Sequence, residues 1–342
     1  MRLPLLLLAL AAAPAADTPT AWTPALSMRV QTVGEVTPSP DGRLVLWTQT
    51  LALLEDEKSE YLTHIFLGRA DGSASWQLTR GDKSATSPRF SPDGRYVFFL
   101  SERSGKPNLY RIPVAGGEAE KLTDWKGRLT AFQVSPDGKH VAFAGAEEDK
   151  DEEKRKKSKN DYKIIDADPK NQALFVLSLD GDPPGKPRKL TDVKYHVGEF
   201  DWAPDSQRLA FERRPTPDAD DGRKADLSEV ALAGGAIRDL AATSATESDP
   251  HYSPDGRFLA FLRSPQNPNT VDGQRLVLLS RPDGEIRELA PTPDERPNVL
   301  EWSADSRRIY LWAARGARSP GNAMPLAGPP GGGVTPARGR FP

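Results

Sequence analysis

Pro88-Arg89-Phe90-Ser91-Pro92-Asp93-Gly94-Arg95-Tyr96-Val97-Phe98-Phe99-Leu100 is the stretch that decides the fold. Proline presets φ for the second position of a turn. Aspartate bonds its own backbone two residues on, and glycine supplies positive φ. An apolar run rich in β-formers follows at once. The stretch reads as a strand, a tight turn and a second strand.

The chain repeats this stretch. Its copies are Ser39-Pro40-Asp41-Gly42, Ser91-Pro92-Asp93-Gly94, Ser135-Pro136-Asp137-Gly138, Ala203-Pro204-Asp205-Ser206, Ser253-Pro254-Asp255-Gly256 and Ser303-Ala304-Asp305-Ser306. First residues are spaced by 52, 44, 68, 50 and 50. Phe90, Val134, Trp202, Tyr252 and Trp302 stand just before five of the copies, and an apolar run follows all six. A second hairpin signal comes next, as in Leu109 to Val114, Ala115-Gly116-Gly117 and Glu120 to Thr123. The same layout recurs at Ile65 to Thr79, Leu174 to Thr191, Leu227 to Leu240 and Leu276 to Leu289. A degraded version runs from Asn322 to Thr335.

Each unit thus has four short strands. One such sheet cannot bury both faces alone, whereas sheets stacked around an axis can. The expected fold is all-β: a β-propeller of four-stranded blades with six sequence repeats, a seventh blade being either missing or unneeded. A sandwich would not repeat one motif at this period, and a β-helix repeat would be far shorter.

Lys+Arg is 46 and Asp+Glu is 48, so no basic excess suggests nucleic-acid binding. The 32 prolines and 28 glycines suit many turns, and the lack of cysteine excludes disulfides and Cys-based metal sites. Arg2, the apolar run Leu3 to Ala13 and Ala13-Pro14-Ala15 read as a signal peptide over 1–16, implying a periplasmic or secreted protein. No stretch is long and apolar enough for a transmembrane span. The propeller is assigned to 17–336, with a charged insertion at 147–160 and a tail at 337–342. From Glu147 to Lys159, twelve of thirteen residues are charged, six of each sign. The run reads as a solvated rim loop, with a short helix as the other option.

The charged run leads into Asp161-Tyr162-Lys163-Ile164-Ile165-Asp166. Further on, Phe211-Glu212-Arg213-Arg214-Pro215-Thr216-Pro217 is followed by Ala225-Asp226-Leu227. With the repeats, these segments resemble the N-terminal propeller of an exported prolyl oligopeptidase family serine peptidase, in the dipeptidyl aminopeptidase or acylaminoacyl peptidase branch. The resemblance covers residues 22 to about 335. It implies a propeller that covers an α/β-hydrolase domain and restricts access to its serine, so that peptides are cut and folded proteins are not. That serine belongs to a G-x-S-x-G elbow, with Asp and His following in chain order.

This chain has no G-x-S-x-G; the nearest string, Ala317-Arg318-Ser319-Pro320-Gly321, lacks the first glycine. His64, His140, His196 and His251 all lie upstream of it. No catalytic residue is therefore assigned, and no peptide hydrolysis is expected from this chain alone. The histidines share no metal-ligand spacing and read as isolated strand or turn residues. Asp218-Ala219-Asp220-Asp221-Gly222 reads as an acidic turn, its glycine being one place too early for an EF-hand. The motif aspartates recur in every unit and read as turn-forming. Trp202, Trp302 and Trp312 read as packing between blades. No cofactor or metal site is assigned.

The expected partner is an α/β-hydrolase domain absent from this chain, with peptides as a further ligand class. The alternative is a stand-alone periplasmic protein-binding module resembling TolB, although here the repeats begin almost directly after the signal. A propeller enzyme with its site in the central channel ranks last. It needs converging histidines or carboxylates on the innermost strands, and none is read at matched positions.

Overall fold

A computed structural model describes residues 22–55, 58–148, 154, 158–159, 170–181, 184–264, 273–281, 283–292, 297–312, 321–326 and 335–336. The segment 1–16 expected to be a signal peptide, most of the charged insertion, Asp161 to Asp166, the string from Ala317 to Pro320 and residues 337–342 lie outside them.

The expected fold is observed. Blade 1 comprises β1 (Thr32–Pro38), β2 (Leu44–Glu55), β3 (Lys58–Arg69) and β4 (Ser75–Gln77), after a short helix α1 (Pro24–Ser27). Blade 2 comprises β5 (Ala85–Phe90), β6 (Tyr96–Ser101), β7 (Asn108–Pro113) and β8 (Glu120–Lys121). Blade 3 comprises β9 (Arg128–Val134), β10 (His140–Ala146), β11 (Ala173–Ser178) and β12 (Arg188–Lys189). Blade 4 comprises β13 (His196–Trp202), β14 (Arg208–Arg214), β15 (Asp226–Ala231) and β16 (Arg238–Ala241). Blade 5 comprises β17 (Thr246–Tyr252), β18 (Phe258–Ser264), β19 (Arg275–Ser280) and β20 (Ile286–Glu288). Blade 6 comprises β21 (Asn298–Trp302), β22 (Arg308–Trp312), β23 (Gly321–Pro325) and β24 (Thr335–Pro336). Each blade is an antiparallel sheet in sequence order, and together they form a six-bladed β-propeller. The degraded last repeat still makes its second hairpin, β23 with β24.

The motif aspartates form turns, as expected. In the Ser91 copy the serine hydroxyl donates to Asp93 Oδ1 (2.6 Å), and the Tyr96 N–H donates back to Ser91 Oγ (2.9 Å). Asp93 Oδ1 also accepts the Arg95 N–H (3.0 Å). The Ser–Asp bond recurs at Ser39, Ser135, Ser253 and Ser303. Gly94 takes φ +69°, where a side chain is strained. Ser206 and Ser306 adopt positive φ in the same place. Their hydroxyls accept the backbone N–H of Asp137 (3.0 Å) and Asp255 (3.1 Å) in the preceding blade. The serines that replace glycine thus tie neighbouring turns together.

Apolar clusters fill the five junctions between consecutive blades. In blades 2 to 5 the second strand is buried on both faces, as in Val141 to Gly145 of β10. Blades 1 and 6 differ. Leu46 and Thr48 are buried while Val45 and Trp47 are half-buried; Ile309 and Leu311 are buried while Trp312 is 41% exposed. Trp202 and Trp302 pack between blades, as expected, but Trp312 does not, because it lies on the outward face of blade 6. The acidic stretch after Asp218 is a six-residue 3-10 helix, Ala219–Lys224, tied by Asp221 to Lys224 (2.7 Å) and Thr216 (2.7 Å).

One departure was not expected. β2 and β3 are each 12 residues long, where the other blades' strands do not exceed 7. They extend beyond the body of blade 1 as a two-stranded arm.

Candidate functional site

The first strand of each blade lines the axis. β1 packs on β5, β5 on β9, and β13 on β17. β9 and β13, and β17 and β21, are joined by side chains. Gln133 Nε2 donates to the Phe200 carbonyl (2.6 Å), and Trp302 Nε1 donates to the His251 carbonyl (3.2 Å).

The position two residues ahead of the motif borders the channel. It holds Thr37, Arg89, Gln133, Asp201, His251 and Glu301 in blades 1 to 6, and none of them is fully buried. The position four residues ahead holds Glu35, Ser87, Ala131, Glu199, Asp249 and Val299. In all six first strands a register shift falls beside it. Such bulges re-aim side chains. Glu35, Ser87 and Asp249 sit there at φ +48°, +55° and +56°. These are strained values for residues with a side chain, of a kind that gathers at functional sites. Glu35 Oε2 accepts the Ser87 N–H of the next blade (3.0 Å).

Blades 4 to 6 give the channel an acidic side. Asp249 Oδ1 pairs with His251 Nε2 (3.0 Å), and Asp201 Oδ2 accepts the Tyr252 N–H (2.7 Å). Burial pushes the Asp201 carboxyl up to about 6 and Glu212 up to about 7. It also raises Glu199 and Glu301. Burial opposes the charged form of His251, but the Asp249 bond and the nearby Asp201 and Glu301 carboxylates raise its pKa overall. Glu212 reaches the cluster from β14, 3.8 Å from Arg214. It approaches so closely that a methyl group on Gly198 would stand 2.6 Å from its Oε1.

These positions overturn the expectation that no histidine or carboxylate recurs at matched inner-strand places. Asp201, His251 and Glu301 share one offset from the motif. They went unread because their residue types differ while their position does not. The other three histidines lie apart, on β3, β10 and β13. His196 is held down to about 4 by burial, then by Arg214 and Arg128. Among the described residues, no group of three or more His, Asp or Glu is arranged to hold a metal ion. What the acidic side can do is receive a cation, such as an ammonium or guanidinium group, in a partly desolvated setting where the attraction is stronger than in bulk water.

Residues 36–167 match the model of the TolB beta propeller domain. The chain carries a TolB-like propeller domain, and its relatives include peptidases. Dipeptidyl-peptidase 5 of Porphyromonas gingivalis is 25% identical over 332 residues, covering 87% of this chain and 47% of that protein. Dipeptidyl-peptidase 5 of Porphyromonas endodontalis is 26% identical, covering 75% of this chain and 40% of that one. The chain thus spans under half the length of these relatives. Among solved structures, acylaminoacyl peptidase of Pyrococcus horikoshii matches with a TM-score of 0.65 at 15% identity, over 91% of this chain and 46% of that one. TolB of Acinetobacter baumannii matches with a TM-score of 0.51 at 17% identity, over 86% and 61%.

Proposed function

We propose that this propeller is the substrate-admitting part of an exported serine peptidase of the prolyl oligopeptidase family, and that its axial channel selects peptides over folded proteins. The observation that carries this reading is the match of 87% of the chain to under half of a dipeptidyl-peptidase 5. The propeller fits one part of a two-part enzyme. The acidic side of the channel suits the ammonium end of a peptide. The catalytic serine, aspartate and histidine would come from an α/β-hydrolase domain outside these 342 residues, so the chain by itself is inactive. Export rests on the signal-like segment 1–16, and N-terminal sequencing of the periplasmic protein checks it.

A second reading, a TolB-like protein-binding module, is favoured by the match of residues 36–167 to the TolB propeller model. One experiment separates the two: sequence the adjoining DNA in all frames, express the encoded protein and assay it on dipeptidyl p-nitroanilides. A hydrolase region with G-x-S-x-G and measurable cleavage supports the peptidase reading. No hydrolase in any frame leaves the binding module.

A further inference from the structure

Among the described residues, the arm of blade 1 ends in an edge with no partner strand on the side that faces the axis. β1 pairs with β2 only as far as Thr32 opposite Thr50, whereas β3 pairs with β2 out to Glu55 opposite Lys58. Residues 51–55 therefore have a partner strand on one side only. The open side is the one β1 occupies lower down, and β1 lines the axis. Among the described residues no strand pairs with it, and no backbone hydrogen bond from the lead-in 22–31 reaches it. Leu51, Ala52 and Leu53 are half-buried and uncharged. An edge of this kind, with no lysine, proline or bulge to blunt it, is a template for an added strand. Native edges are normally protected, so this exposure calls for an occupant.

We propose that the edge 51–55 binds an extended peptide by β-strand addition, where peptides enter the channel. The inference rests on the peptide-admitting reading of the propeller. Two further features favour a peptide. The channel-lining strands of blades 4 to 6 offer the carboxylates of Glu199, Asp201, Asp249 and Glu301, which complement an ammonium terminus or a basic side chain. Beside the arm is a cavity of about 400 Å³, lined by Tyr61, Leu62, Ser84, Ser87, Leu100 and Thr130, of a size to take side chains. Main-chain hydrogen bonds would give affinity without demanding a sequence, and the carboxylates would set the polarity. A folded protein presents no free strand and would be excluded.

The test uses the full chain and a fluorescent hexapeptide amide, Lys-Val-Thr-Val-Thr-Val, followed by anisotropy. A second peptide carries N-methyl groups on alternate residues along one edge, and a third carries them along the other. Whichever edge faces the arm, one of the two should bind at least tenfold more weakly than the parent. In β2 the even residues turn their backbone groups to the β1 side and the odd ones to β3, so on the open edge the free N–H of the arm's middle belongs to Ala52. The protein variant Ala52→Pro should lose binding to the same extent, with its melting temperature and near-ultraviolet circular dichroism unchanged. Proline can also unfold the arm, so the N-methyl arms of the test leave the protein untouched. Equal binding of all three peptides overturns the proposal, as does unchanged binding by a folded Ala52→Pro. So does a dimer in sedimentation that Ala52→Pro dissociates, because the edge would then belong to a second copy. If the adjoining DNA encodes no hydrolase but the N-methyl effect is seen, the peptide site stands and only the peptidase reading fails.

Discussion

The motif turns and the channel residues lie two to four positions apart in the sequence, yet they follow opposite rules. The turns recur in all six blades, and five of them carry the same Ser–Asp bond, blade 4 having Ala203 in place of the serine. The channel positions change in every blade, from Thr37 and Arg89 to His251 and Glu301. A feature that each blade needs for its own folding must repeat. A feature used once by the whole ring has no reason to. Repetition therefore marks structure here, and the break in repetition marks the candidate site.

The largest contrast should appear where the frame is buried. Glu229 is 6% exposed and accepts hydrogen bonds from Tyr252 Oη (2.6 Å) and Arg281 Nη2 (2.6 Å), joining blades 4 and 5 beside the motif. Glu229→Ala strands the Arg281 charge, and urea unfolding should show a loss of about 3–5 kcal/mol. Ser91→Ala removes a buried hydroxyl that bonds both Asp93 and Tyr96. It should cost about 1–3 kcal/mol by the same assay. A loss near zero in either case would make the frame less dependent on these groups than its repetition implies.

The smallest effect on stability should come from the channel. The Asp201 carboxyl is raised by burial to about 6, against 3.8 for an unperturbed one. Between those values the folded state holds a proton that the unfolded state has released. Stability from this group is therefore highest at acid pH and falls as pH rises through 6. Asp201→Asn should be neutral or stabilising at pH 7. Its advantage over the wild type should shrink as pH falls from 7 to 4, as followed by thermal melts. An Asp201→Asn variant that is much less stable at pH 7 would move Asp201 to the structural side of the contrast.

The six repeats and the four strands of each were legible because turn chemistry is local: Ser91-Pro92-Asp93-Gly94 carries its own hydrogen bonds and its own positive φ. Whether a seventh blade belongs to the ring was not, because a local turn says nothing of how many units close around an axis. The channel set was not legible, because bringing Asp201, His251 and Glu301 together depends on closing blades around an axis. A comparison by residue type passes over them, whereas counting back two residues from each motif finds them. The arm was missed for another reason. Leu44 to Leu54 reads as one apolar run, and nothing local says where β1 stops accompanying it. Trp312 was misplaced because strand and blade order alone do not tell which face of blade 6 is covered. The exposed Val33 and Val36, 58% and 64% exposed, mark the same condition at blade 1.

The most direct measurement is peptide binding set beside stability in one variant. The full chain and Asp201→Asn/Glu301→Gln are titrated at pH 7 with the lysine-led hexapeptide, and both are melted. The expected result is at least tenfold weaker binding with the melting temperature held or raised. Unchanged binding, or a melting temperature that falls as far as that of Glu229→Ala, would contradict the division between a structural frame and a channel that receives peptides.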